Sequence, residues 1–502
     1  MTDKFEARLV VALCLIAAAR VFFFSAAFPF FGNVDESAHV DLVVKYSRGY
    51  VPREPVELYD TETARLVARY QTLEYVQQPS RFPMGFPRPL WEAPPEVERR
   101  ALSARVAQLE RKANHEVHSP PSYYAFAGLG YRLGKSLGLS ERQGLYGIRF
   151  LNAPLFALLV WLAYRFCRNG CPRRQDLYLG VPLVLAFLPQ DVFYSVNSDV
   201  LSPVLFTASL IVLLSWWHRE RPAIHLGVWL GFLVAATFLV KFTNIALALV
   251  FGVALALMAW RWIEEGRTAR ALLTVAPAAL AALVPVGAWL VRNLGLFGDL
   301  SGMGPKIEEL GWTRRPAAEW LSHPIFTPRG FWTFWDGVLR TLWRGELVWH
   351  LKRLASPVAD AFYTFSSTVG LIAAGTAWGM ERRRVPPVAA APTVRTDFRA
   401  VVWASVALSV LCLMVLSISF DYNRSYYPSE AHPFFTSGRL IAGALVPFLF
   451  LWVEGLSLLL RGRERVKPLL VVLASICLAI TVSEVLLTRP AISNPYNWFH
   501  LP

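Results

Sequence analysis

Charge is scarce in this chain: 17% of its 502 residues are Asp, Glu, Lys or Arg, against 55% hydrophobic. With a positive mean hydropathy of +0.38, that balance excludes a soluble protein, whose charged residues have to cover its surface. Cysteine is equally sparse, with five in all. Cys14, Cys412 and Cys477 fall inside apolar stretches, and Cys167 and Cys171 lie beside an arginine-rich loop on the reducing side, so no disulfide framework is expected. No further ligand pair stands near Cys167 and Cys171, which makes them a poor zinc site. Internal repeats are missing, and so are zinc-finger, recognition-helix and aromatic ribonucleoprotein patterns. The net charge of +14 is therefore read as membrane topology and surface attraction, not nucleic-acid binding. The first apolar segment has no small-residue cleavage site at a workable spacing, so it is expected to stay as an anchor.

Long apolar runs are what the chain has in plenty. Stretches near the twenty residues that cross a hydrocarbon core recur at 8–28, 144–166, 176–193, 197–217, 224–241, 243–262, 269–291, 358–380, 399–420, 436–460 and 467–487. They predict an all-α polytopic membrane protein of about eleven spans, with 1–502 as a single domain. Lysine and arginine in short loops resist translocation. Arg165, Arg168, Arg173 and Arg174 mark one such loop; Arg219 and Arg221 a second; Arg261, Arg267 and Arg270 a third. Arg382, Arg383, Arg384, Arg395 and Arg399 mark a fourth, and Arg461, Arg463, Arg465 and Lys467 a fifth. All five fall on one side, with the N-terminus, and that side reads as cytoplasmic. The stretch 121–138 is apolar enough to resemble a span, but a crossing there would move the arginines of 165–174 outside. It is read as a juxtamembrane helix.

Two long loops then face the exoplasm, 29–143 and 292–357. The first holds helix-like stretches at 57–77 and 95–114 around the proline-rich "QQPSRFPMGFPRPLWEAPPE". The second carries Trp312, Trp320, Trp332, Trp335, Trp343 and Trp349, a density suited to the headgroup zone. Loops of this length are usually functional.

Asp35 and Glu36 sit side by side where the chain leaves the first span, and Asp35 also fits the N-cap of a helix over 36–48. "HSPPSYY" (118–124) closes the same loop with His118 and Tyr123. "YSVNSDVLSP" sets Asn197 and Asp199 at an outer turn, "VKFTN" sets Lys241 and Asn244 at the next, and "VRNLGLFGDL" sets Arg292, Asn293 and Asp299 at another. Taken singly, Lys241 and Arg292 read as cations snorkelling to headgroups. Together with Arg439 in "FFTSGRLIAGALVP" they can instead hold the phosphate of a lipid-linked donor, arginine by a bidentate fork and lysine as a point charge.

In this order the motifs resemble the GT-C superfamily, multispanning glycosyltransferases that use polyprenyl-phosphate sugars, and within it the protein-mannosyltransferase-like and aminoarabinose-transferase-like branches. The order is specific over most of the chain, while each motif is short. The resemblance implies an inverting transfer of a hexosyl or pentosyl group from a polyprenyl-phosphate donor to an exoplasmic glycan, lipid or protein, in a bacterial inner (plasma) membrane. Asp35 and Glu36 are then the expected catalytic carboxylates, with Asp35 as general base opposite the leaving phosphate. His118, Tyr123, Asn197, Asp199, Lys241, Arg292, Asn293 and Arg439 are the expected substrate-binding residues. Glu36, His118 and Asp199 serve equally as ligands of a divalent metal ion, whose need is left open. A transporter or flippase of lipid-linked sugars would show repeats and midplane charge; charge gathered at one face favours an enzyme over it. A non-catalytic scaffold of envelope assembly is the third reading.

Overall fold

The computed structural model describes residues 3–32, 35–219, 223–383, 396–423, 425, 427–460 and 466–500. Arg221, Arg384, Arg395, Arg461, Arg463 and Arg465, used above for topology, lie outside the described residues.

Every apolar stretch read as a span has its larger part on helix. The first forms α1 (Asp3–Ala27). The loop that follows contributes α2 (Glu36–Ser47), α3 (Thr61–Tyr70), α4 (Pro95–Leu109) and α5 (Ser122–Ser136). Then come α6 (Glu141–Phe150), α7 (Asn152–Gly170), α8 (Gln175–Ala186), α9 (Leu201–Trp217), α10 (Ile224–Phe238), α11 (Ile245–Glu264) and α12 (Thr268–Phe297). After α13 (Gly304–Glu309) and α14 (Pro328–Arg344) the chain returns through α15 (Pro357–Arg383), α16 (Thr396–Ile418), α17 (Leu445–Leu459) and α18 (Val466–Ile492). Sheet is confined to two-residue strands: β1 (Thr313–Arg314) pairs with β4 (Phe420–Asp421), and β2 (Val348–Trp349) with β3 (Lys352–Arg353). The protein is an all-α polytopic membrane protein.

Among the described residues, eight helices are long and apolar enough to cross a membrane, fewer than the eleven expected. Three of the expected spans fall short, for two reasons. α15 is long, but its middle carries Thr364, Ser366, Ser367 and Thr368. These hydroxyls meet the tryptophans: Ser367 accepts from the Trp343 indole at 2.9 Å, Thr368 from Trp335 at 2.9 Å and Ser366 from Trp452 at 3.2 Å. A buried indole needs such a partner, so Trp343, expected at headgroup level, is instead a fully buried core residue.

The other two, α8 and α10, have 12 and 15 residues, about 18 and 22 Å of helix against a hydrocarbon core of about 30 Å. Both stop at 3₁₀ turns. Asp191–Tyr194 follows α8, Ser198–Val200 opens α9, Phe242–Asn244 lies between α10 and α11, and Gly438–Ala444 opens α17. The last of these turns packs against both Ser198–Val200 and Phe242–Asn244 at one end of the bundle. Irregular backbone at such depth is tolerated where it is buried in protein or lines a cavity. α17 sits at the centre, with 89% of its most apolar window buried, whereas α12 and α18 show mostly outward faces.

Over this end lies the first loop. α2 packs on α5 and α3 on α4, around a second apolar cluster that includes Val43, Leu66, Tyr124 and Tyr146. The stretch 121–138 forms α5, a helix of 15 residues that is not among the eight. α12 runs on through Arg292 and Asn293 to Phe297, so the second loop begins later than the sequence suggested.

Candidate active site

Asp35 precedes α2 with φ 69°, in the left-handed region, and its side chain makes no capping hydrogen bond. The carboxylate is committed elsewhere: His115 Nε2 lies 3.0 Å from Oδ1, and Arg439 Nη2 donates to Oδ2 at 2.9 Å. Glu36, one residue on, corrects the expectation of a paired catalytic carboxylate. It is 1% exposed and faces away, where Arg149 grips it at 2.8 and 2.7 Å and the Phe31 and Val196 amides donate at 2.8 and 2.9 Å. Its acceptor sites are filled, and Arg149 also donates to the Ser25, Phe28 and Pro29 carbonyls. This is a structural ion pair tying the end of α1 to α2, α6 and the turn before α9.

Arg439 arrives on its 3₁₀ turn through a fixed sequence of contacts. Ser437 donates to Glu346. The Gly438 amide donates to Thr341 Oγ1 at 2.7 Å. A Cβ on Gly438 would fall 2.2 Å from the Leu342 backbone nitrogen, so only glycine lets this turn lie on the end of α14. The guanidinium then sits among three carboxylates: Asp35, Asp199 at 3.7 Å and Glu346 at 3.5 Å. Only the Asp35 contact is a hydrogen bond; Arg439 Nε and Nη1 and Asp199 Oδ2 are buried and make none, facing their opposite charges at 3.5 to 3.7 Å. Lys241 Nζ meets the other oxygen of Asp199 at 2.5 Å. Buried polar groups are rarely left unsatisfied, so two aimed N–H groups mark a place for an acceptor-rich ligand.

Beside Asp35 a second ion pair closes the site. Lys306 of α13 meets Glu116 Oε1 at 2.5 Å, and Ser119 donates to Oε2 at 2.6 Å. Burial disfavours the Asp35 anion, but the hydrogen bond from His115 and the charge of Arg439 hold its carboxyl well below the usual range. Burial opposes the His115 cation; the bond to Asp35 and the charge of Glu116 outweigh it and raise the imidazole above its ordinary value. His39, buried behind it against the Tyr124 hydroxyl at 2.7 Å, is driven the other way, to about 4, and stays neutral.

Of the residues singled out from the sequence, Asp35, Asp199, Lys241 and Arg439 come together. Asn197 stands directly behind them, its side chain accepting from the Asp199 amide at 2.9 Å, with buried Tyr123 against it. Three others go elsewhere. His118 bonds to the Pro55 carbonyl at 3.0 Å and packs on Phe297; Arg292 donates to the Pro52 carbonyl and lies over Trp289; Asn293 donates to the carbonyls of Leu300 and Ser301. They fasten the end of α12 and the first loop to each other. Asp299 likewise caps its own turn, accepting from Ser301 and the Gly304 amide.

The sequence reading missed His115, Glu116, Lys306 and Glu346. The first two were visible as a titratable pair three residues before His118, which drew attention through its prolines. Glu346 and Lys306 carried no signal in a loop dominated by tryptophan and arginine.

The metal set expected from Glu36, His118 and Asp199 is not assembled. Asp35, His115 and Glu116 do bring donor atoms within 4.8 Å of one another. Lys306 and Arg439 already neutralise both carboxylates, however, so the set as it stands does not fit a divalent ion without breaking those pairs.

Residues 19–420 match the model of a family described as predicted membrane protein (DUF2142). The chain belongs to that family. The match runs from α1 into β4, so it takes in Asp35, His115, Glu116, Asp199, Lys241, Lys306 and Glu346, while Arg439 lies beyond it. No curated protein matches. Among solved structures, the chain is similar to the crystal structure of the Archaeoglobus fulgidus oligosaccharyltransferase tethered with an acceptor peptide containing the NVT sequon via a disulfide bond. The TM-score is 0.41 at 11% identity, over 100% of this chain and 56% of that one. This chain thus spans little more than half the length of that protein, and a likeness of this size fixes no residue's role.

Proposed function

We propose that this member of the DUF2142 family is a membrane glycosyltransferase that moves a sugar from a polyprenyl-phosphate donor to a hydroxyl on an exoplasmic acceptor. One observation carries the reading: Asp35 lies 2.9 Å from Arg439, whose buried Nε and Nη1 face carboxylates at 3.5 and 3.7 Å but make no hydrogen bond. A carboxylate thus borders an arginine with hydrogen-bonding capacity to spare.

In this scheme the donor's phosphate oxygens take the free N–H groups of Arg439 and a share of Lys241, while the lipid tail stays beside the bundle. Asp35 accepts the acceptor's proton as its oxygen bonds to the anomeric carbon. The bond from that carbon to the phosphate oxygen breaks, and its electron pair leaves with the phosphate. Fixed cations stabilise the charge that develops there, usually a large term in catalysis. Keeping the tail in lipid matters because extraction costs about 0.8 kcal/mol per buried CH₂. The arginine-rich short loops support an exoplasmic site. No specific contact favours a flippase.

The test is consumption of radiolabelled polyprenyl-phosphate sugars by membranes holding the protein, with Asp35→Asn as control. The variant is expected to lose about 10²- to 10⁴-fold in turnover while still binding donor. Failure to consume any donor in the panel would overturn the reading.

A further inference from the structure

The proline-rich segment of the first loop has no part in the scheme above, yet it forms one wall of a groove against the C-terminal tail. Glu74, Phe86, Arg88, Glu92 and Tyr496 line it, interleaved with Pro87, Pro89 and Pro495. Proline locks its own φ, so the wall is largely set before anything binds and little ordering cost remains. Arg88 and Glu92 are exposed, and their side chains make no hydrogen bond or ion pair among the described residues. Glu74, by contrast, is fully used: Asn494 donates to it at 2.6 Å, and His350 meets its other oxygen at 3.1 Å.

We propose that this groove is a saccharide subsite that holds the acceptor chain one or more units away from the reacting hydroxyl, a proposal that rests on the glycosyl-transfer reading. The chemistry points to sugar. Half-buried Phe86 gives apolar surface for the C–H face of a sugar, and the unpaired Arg88 guanidinium and Glu92 carboxylate lining the same groove suit its hydroxyls. Their opposite charges cancel, which disfavours a strongly anionic or cationic polymer. A peptide strand would seek an unpaired sheet edge, and the groove is walled by side chains and prolines instead.

The groove is also joined to the active site. His350 stacks on Phe86 with ring centroids 5.5 Å apart and planes 7° from parallel. It forms, with Leu351, the tip of the β2–β3 hairpin, and both residues hold positive φ, 54° and 60°. Such a two-residue turn normally takes Asn or Gly. Here it persists because the His350 amide donates to the Glu74 carbonyl at 2.7 Å. Strain of this kind persists where surroundings over-determine it and gathers at functional sites. At the hairpin's other end Arg353 bonds Glu346 at 3.0 Å, and Glu346 faces Arg439 at 3.5 Å. At about 3.3 Å per residue, Glu346 to His350 spans at most roughly 13 Å.

The experiment uses the full chain in lipid nanodiscs and neutral di- to hexasaccharides of hexoses and pentoses as probes. Binding is read by calorimetry. We expect at least one oligosaccharide to bind, Arg88→Ala and Glu92→Gln each to weaken it about tenfold, and Asp35→Asn to leave it unchanged. Both residues are exposed and neither variant removes a hydrogen bond or ion pair, so folding is not at issue. In transfer assays the same variants are expected to raise KM for long acceptors with kcat intact. The proposal is overturned if no oligosaccharide binds, if binding ignores both groove variants, or if only peptides compete for the groove. Donor consumption without saccharide binding sinks the subsite alone; saccharide binding without donor consumption sinks the transfer reading, and with it the acceptor role, leaving a groove that binds saccharide.

Discussion

His115 is the residue on which the proposed chemistry turns, because it shares the general base. While the imidazole is protonated, its N–H occupies an oxygen of Asp35, and the pair contributes stability. The sign follows from the direction of the shift. A histidine raised above its unfolded value stabilises fully below about pH 6.5, and that contribution fades as pH rises through the higher folded value. Asp35, held down, contributes above about pH 3.9 and loses this only in strong acid. The groups facing His115 are Asp35, Glu116 and Lys306. Activity is therefore expected to rise with pH as His115 releases its proton and frees Asp35 to act. In His115→Gln the acidic limb of the pH profile of kcat/KM should move to lower pH. An unchanged limb in that variant would remove His115 from the titration.

At the scale of elements, helix breaks matter more than helices. Three of the 3₁₀ turns deliver Asp199, Lys241 and Arg439 because α10 ends early and α9 and α17 begin late. The sequence showed the polar letters of these turns plainly, since a charge inside an apolar stretch stands out, and Asp35, Asp199, Lys241 and Arg439 were legible for that reason. What it could not show was direction. Asp35 and Glu36 look equivalent as neighbours, yet opposite orientations at the start of α2 send one to Arg439 and the other to Arg149. His118 outranked His115 on paper because prolines mark a turn, but the turn fastens the loop and the unmarked histidine faces the site. The Ser-Gly-Arg motif has the clearest physical content. Gly438→Ala pushes a methyl group into the Leu342 backbone, which cannot yield as a side chain would. The expected outcome is a shifted Arg439, a loss of about 10²-fold or more in turnover, and a protein destabilised by about 1–3 kcal/mol. Thermal unfolding and donor consumption measured together check it, and a variant normal in both would show that the turn tolerates displacement.

Across the whole molecule, the site and the arginine-rich loops have to stand on opposite faces of the membrane. The continuous helical run Glu141–Gly170 separates the first long loop from the loop of Arg173 and Arg174. Its 30 residues reach about 45 Å, more than the hydrocarbon thickness of about 30 Å. Residues before and after it are therefore expected to emerge on different sides. Met84, 99% exposed in the proline-rich segment, and exposed Arg173 are positions where cysteine disturbs no packing. Of the native thiols, Cys167, Cys171 and Cys477 are buried and Cys14 and Cys412 are half-buried on spanning helices, which keeps background labelling low. A membrane-impermeant maleimide added to intact cells whose outer barrier has been opened is expected to label Met84→Cys and to reach Arg173→Cys only after the inner membrane is breached. The reverse pattern would put Asp35 and Arg439 on the cytoplasmic face, away from any exoplasmic acceptor, and would require the acceptor to be sought inside the cell.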